Sequence, residues 1–174
     1  MSDESQPVQE SQEKVYRLME NNADSAGAIE QVINETRQEL RVFDATPRAL
    51  RGRGFGSAPR IDVIRALLLA NRGHRLRIVL HDVTAIEIEL PRLCDLLTRF
   101  SGQIEVHRTV DQATDARDAM IIADDSHFWR KLHTDHPRSV ITLHDAVGTR
   151  PMLARFEEIW EKSELAVSGS TLGL

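Results

Sequence analysis

The stretch Arg117-Asp118-Ala119-Met120-Ile121-Ile122-Ala123-Asp124-Asp125 decides how this chain is read. The apolar run from Ala119 to Ala123 is too short for a helix and has the length of a buried strand. Two acids end it. Upstream, Val42-Phe43, Leu76-Arg77-Ile78-Val79-Leu80 and Ile104-Glu105-Val106 are further strands, and downstream so is Val140-Ile141-Thr142-Leu143. Phe128-Trp129 begins another strand, and one of those two aromatics is expected to face outward as a subunit contact.

Between the strands the apolar spacing changes to threes and fours. Ile29, Val32, Ile33, Thr36 and Leu40 share one helical face, with Asp24 or Ser25 as the cap. Ser57 and Pro59 open a helix carrying Ile61, Ile64, Leu67 and Leu68. Pro91 opens another with Leu93, Cys94, Leu97 and Phe100, stopped by Gly102. Thr149 is read as the cap of a last helix bearing Phe156, Ile159 and Trp160. Lys14 to Glu20 is read as a short helix. This alternation predicts an α/β fold in which helices flank a largely parallel or mixed sheet. The expected division is a disordered tail at 1–12, one domain at 13–165 and a flexible tail at 166–174.

A length of 174 residues gives one domain a sizeable core, and a net charge of -5 argues against a wholly basic nucleic-acid binder. The single cysteine, Cys94, excludes an internal disulfide and falls on an apolar helix face. Met1 to Glu10 has no apolar core and no run reaches membrane-span length, so a cytoplasmic protein without membrane contact is expected.

Against that acidic background the segment from Arg41 to Arg60 holds five arginines and one acid, Asp44. Its centre, Arg48 to Gly56, reads as a solvated Arg/Gly loop. The glycines ahead of a helix start could offer amides to an anion, with Arg51 and Arg53 beside them and Phe55 available to stack on a base. Several strands end in polar residues: Asp44, His81-Asp82, Asp124-Asp125 and His144-Asp145. Run in parallel, these would converge at one sheet edge and could hold a metal or serve as acid and base. Asp and His are also ordinary turn residues. His133-x-x-His136 has a ligand-like spacing but sits beside Pro137 without a third strong ligand.

The order of elements resembles that of phospholipase D-like domains over about residues 26–164. Arg75 to Leu80 is similar to that family's Arg-Gly-x-x-Val-x-Ile-Leu segment, Ser139 to Leu143 to its late strand, and Phe156 to Ser163 to its Phe-x-x-x-Trp-x-x-Ser ending. The resemblance implies chemistry built on His-x-Lys-x4-Asp, with a histidine nucleophile and a phosphate-binding lysine. If Asp124 is the matching acid, Arg117 and Ala119 stand in those places; if Asp125 is, Asp118 and Met120 do. No phosphohistidine forms at an arginine, and neither alanine nor methionine binds phosphate as lysine does.

The expectation is therefore a bacterial-type phospholipase D-like domain with a degenerate, non-hydrolytic site. It has no catalytic residues, no metal and no cofactor, and its role is to bind or regulate. Its ligand would be phosphate-containing or a nucleic acid, met by Arg51, Arg53, Arg117, Asp124, Asp125 and His144. The resemblance also implies a homodimer. The alternative is a metal-dependent phosphoesterase or nuclease with a site rebuilt from the strand-end His81, Asp82, Asp124, His144 and Asp145.

Overall fold

The computed structural model describes residues 12–169. Eight strands form one sheet: β1 (Val15–Met19), β2 (Glu39–Asp44), β3 (Arg75–Leu80), β4 (Ile104–Thr109), β5 (Ala119–Ala123), β6 (His127–Lys131), β7 (Ser139–Leu143) and β8 (Ser163–Val167). Their order is β1-β7-β6-β5-β2-β3-β4-β8. The helices are α1 (Asn22–Glu35), α2 (Pro47–Leu50), α3 (Ala58–Ala70), α4 (Ile86–Glu89), α5 (Pro91–Arg99) and α6 (Ala146–Glu161).

The sheet is mixed, but its larger part is antiparallel. Only the β2–β3 and β3–β4 pairings are parallel. The other pairings among the described residues, β1–β7, β2–β5, β4–β8, β5–β6 and β6–β7, are antiparallel. This corrects the largely parallel expectation. Side-chain alternation has the same period of two in either direction, so the apolar pattern carried no sign of direction.

Strand β5 lies where two cores meet. Ala119, Ile121 and Ala123 join the larger core with Val32, Ile61, Ile64, Leu68 and Leu93. Met120 and Ile122 join the smaller one with Phe43, Val79, Phe156 and Ile159. Both faces are covered, so every position is apolar. Helix α6 lies on the smaller core and is held there by charge as well. Arg77 of β3 meets Glu157 at 2.6 and 3.0 Å, and its guanidinium stands 4.9 Å from the Trp160 ring. The N-cap of α6 is Asp145, which accepts from the Gly148 amide, and not Thr149.

Other expectations are also corrected. Val15 to Met19 is a strand, not a helix: β1 pairs with β7, leaving Tyr16 and Leu18 exposed and burying Met19. Its β-branched and aromatic residues suit that pairing. Ala166 and Val167 fall within β8, where Val167 pairs with Val106 of β4, so the expected tail boundary at 166 lies inside a strand. The expected tail at 1–12 lies, but for Gln12, outside the described residues, as do 170–174. Phe128 and Trp129 are both buried, which removes the outward aromatic. Among the described residues no helix is long and apolar enough to cross a membrane.

Candidate functional site

Strand direction sorts the polar strand ends onto two edges. The ends of β2, β3 and β6 and the starts of β5 and β7 share the first edge. The starts of β2, β3 and β6 and the ends of β5 and β7 share the second.

At the first edge the Arg/Gly segment is ordered structure rather than a solvated loop. Thr46 caps α2, and a wide turn, Arg51–Phe55, returns the chain toward α3. Phe55 is fully buried, so it packs into the domain and cannot stack on a base. Gly54 makes the turn possible with φ +93, and a Cβ there would meet the Arg60 guanidinium at 3.1 Å. Left-handed backbone costs a residue with a side chain about 1–2 kcal/mol. Gly54→Ala is expected to lower unfolding stability by about that amount in a urea titration, with the denaturant slope unchanged.

The turn brings Arg53 back over the sheet. Its Nε donates to Asp44 Oδ2 at 3.1 Å, and its guanidinium sits 4.9 Å from the Trp129 ring centroid. Asp44 is 1% exposed and its other oxygen accepts from the Ala45 amide at 2.8 Å. Lys131 closes β6 on this edge, directly opposite Ala119 of β5. Ala119 is itself fully buried. Arg117, just before β5, is exposed, and its carbonyl accepts from the Thr134 amide at 2.9 Å. Arg51 points elsewhere, to Glu89 at 2.9 Å.

On the other face of the same edge, buried Asp118 binds Arg155 of α6 through both oxygens, at 2.5 and 2.7 Å, and Arg130 of β6 at 3.2 Å. Burial alone would raise this carboxyl. The Arg155 hydrogen bonds, with the charges of Arg155 and Arg130, outweigh it and hold Asp118 below the ordinary carboxylate range.

The second edge carries Asp124, Asp125 and His144, around a cavity of about 550 Å³ that also meets Glu35, Arg37, Glu39 and Arg41. Asp124, at φ 53 in the β5–β6 turn, accepts the amides of Arg37 and Gln38 at 2.8 Å and of Glu39 at 2.9 Å. It clamps the α1–β2 connection to the hairpin. The carboxylates around the cavity outnumber the arginines, which disfavours phosphate there.

Glu35, His127 and His144 bring possible ligand atoms within 4.8 Å of one another. The His144 amide, however, donates to His127 Nδ1 at 3.1 Å. A neutral ring then carries its proton on Nε2, whereas a metal-binding histidine needs one bare nitrogen and donates from the other. Burial and the neighbouring His144 push His127 below the ordinary histidine range, which keeps that ring neutral. The amide hydrogen bond to Nδ1 therefore counts against an ion at this cluster.

The strand-end set is therefore split. His81 lies on the first edge with both nitrogens engaged, by Thr109 Oγ1 and the Ala116 carbonyl, each at 2.8 Å. Asp82 accepts from Thr84, while Asp145 caps α6 and meets Lys14 at 2.9 Å. His133 and His136 face each other at 5.4 Å in the β6–β7 loop. Of the six residues expected to bind a ligand, Arg51, Arg53 and Arg117 fall at the first edge and Asp124, Asp125 and His144 at the second. Lys131 went unremarked as a site residue, while Asp44 was noted only as a strand-end acid and Asp118 only as an alternative match for the histidine position. The visible signal was a lysine, one of only three in the chain, closing an apolar strand.

A family model described as "Domain of unknown function (DUF7931)" matches residues 21–168. The chain belongs to this family. No curated protein matches its sequence. Among solved structures, the Salmonella typhimurium protein Nuc, a phospholipase D family member, aligns with a TM-score of 0.60 at 12% identity, over 90% of this chain and 100% of that one. NucT from Helicobacter pylori aligns at 0.56 and 11% identity, over 88% and 100%. The archaeal chromatin protein TrmBL2, whose structure shows a mode of DNA binding, aligns at 0.63 and 16% identity over 94% of this chain. The chain spans about half of TrmBL2, 56% of its length. Identities this low show the fold alone, and that fold is phospholipase D-like.

Proposed function

We propose that this DUF7931 member is a non-hydrolytic binding module that takes a phosphate-bearing ligand, nucleic acid foremost, at the first edge of the sheet. The observation that carries the reading is the start of β5. With Asp124 as the matching acid, an exposed Arg117 stands where the phospholipase D-like resemblance puts the nucleophile and a buried Ala119 where it puts the lysine; with Asp125, the buried Asp118 and Met120 stand there. An arginine cannot form the covalent phosphoryl intermediate, so transfer through it is lost. An arginine can still pair with a phosphate, and Arg53 on the same edge adds a second guanidinium.

The test is a titration of fluorescently labelled single- and double-stranded DNA, read for anisotropy and for strand cleavage, with Mg²⁺ or with chelator. Salt-sensitive binding without cleavage is the expected result. If Arg53, Arg117 and Lys131 each displace one counterion from duplex DNA, affinity falls roughly 40-fold between 50 and 200 mM salt. Metal-dependent cleavage would overturn the reading in favour of a phosphoesterase or nuclease, and the second edge would then become its first place to search.

A further inference from the structure

Lys131 is 6% exposed. Among the described residues its ammonium has neither a hydrogen-bond acceptor nor an ion-pair partner. Its stem is covered while Nζ keeps contact with solvent, so the charge stands at the rim of the edge without an acceptor of its own. The charges around it sharpen the point. Arg53 repels it, while Asp44 and Asp135 attract it from beyond pairing distance. Asp135 is exposed on the β6–β7 loop, and the buried Asp44 carboxylate is already bound to Arg53. Lys131, Arg53 and Asp44 together leave one positive charge unbalanced at a covered edge. Burial first, then Arg53, pushes the Lys131 ammonium below its ordinary range.

Strand register supplies the second observation. Lys131 is the direct partner of Ala119, on the neighbouring antiparallel strand. Paired residues share a face, with Cβ atoms about 5 Å apart. A lysine side chain is longer than that gap, so the Lys131 stem can lie over the fully buried Ala119 and carry its ammonium past it toward the rim. Trp129, two residues earlier on the same face, supports the Arg53 guanidinium from below.

We infer that Lys131 and Arg53 form a seat for one phosphodiester group, with the phosphate-binding ammonium supplied from β6 across the hairpin from Ala119. This rests on the binding role proposed above and names the group that performs it. The single negative charge of a diester balances the single excess positive charge. Lysine contributes a mobile point charge and arginine a planar fork.

Two measurements test the seat. The chain has three lysines, so protein carrying ¹³C at lysine Cε gives three signals, and the one missing from Lys131→Met is Lys131. Dimethyl phosphate is expected to shift that signal saturably and to leave Lys14 and Lys162 in place. In the DNA titration Lys131→Met is expected to lose at least tenfold in affinity, against less than twofold for Lys14→Met, which removes one charge at the opposite edge. Lys131→Met should melt close to the parent, because it keeps the covered stem and removes a charge that has no partner.

Parent protein that binds DNA while Lys131→Met matches Lys14→Met would overturn the seat and leave the binding role standing. Parent protein that binds neither DNA nor dimethyl phosphate would overturn both. A saturable Lys131 shift with dimethyl phosphate but no DNA binding would keep the seat and assign it to a small phosphodiester.

Discussion

Asp124→Ala is expected to destabilise the protein by about 2–4 kcal/mol, since water can reach two of the three amides it holds. Its carboxylate takes three backbone amides, those of Arg37, Gln38 and Glu39. Hydrogen bonds to a charged acceptor are each worth about 1.5–3 kcal/mol and do not add in full. Removing the carboxylate orphans all three donors and also strips the φ 53 turn of a residue type that tolerates it. Asp124→Asn keeps one oxygen for Gln38 and Glu39 and tolerates the turn, so about 1–2 kcal/mol is expected. Urea unfolding of the two variants measures the difference. Equal, near-zero losses would show that Asp124 is not the clamp its geometry implies.

Asp118→Ala comes second, at about 2–3 kcal/mol. Breaking a fully buried ion pair costs about 3–5 kcal/mol, and here the figure is reduced because Arg155 and Arg130 are partly open to solvent, at 35% and 26%. The pH dependence follows from the direction of the shift. The folded carboxyl sits below the ordinary aspartate value of 3.8. Its contribution is fully present above that value and disappears as pH falls below it, through the lower folded value. Stability measured between pH 5 and pH 2 should therefore drop more steeply in the parent than in Asp118→Asn. Parallel curves would remove Asp118 from the acid transition.

Some of this was readable in the residues alone. Ala119–Ala123 matches β5 because a strand sandwiched between α1 and α6 must be apolar throughout. The starts of α3 and α5 were marked by Pro59 and Pro91. Strand β1 was not legible: among the described residues its only sheet partner is β7, distant in sequence, and three of its five residues are exposed. The site was half legible. Arg53 stood out as an arginine among glycines, but nothing local says that it turns back onto Asp44 and Trp129. Lys131 drew no reading from its sequence neighbourhood, and its register against Ala119 is what sets it apart. The strand-end acids and histidines misled because convergence required parallel strands, and the sheet reverses direction between β2 and β5.

The place of β1 in the sheet bears on how quickly the native state is reached. Val15 pairs with Leu143 and Met19 with Ser139, so the first strand has no sheet partner until most of the chain has been synthesised. Among the described residues only the β5–β6 and β6–β7 hairpins can zip locally, whereas β2 must find β5 across α2, α3, β3, α4, α5 and β4. A topology so rich in distant pairings belongs with domains that fold in milliseconds to seconds rather than microseconds. Through that interval Tyr16 and Leu18 sit on an unpaired segment open to other chains, which makes β1 the place where self-association during refolding would begin.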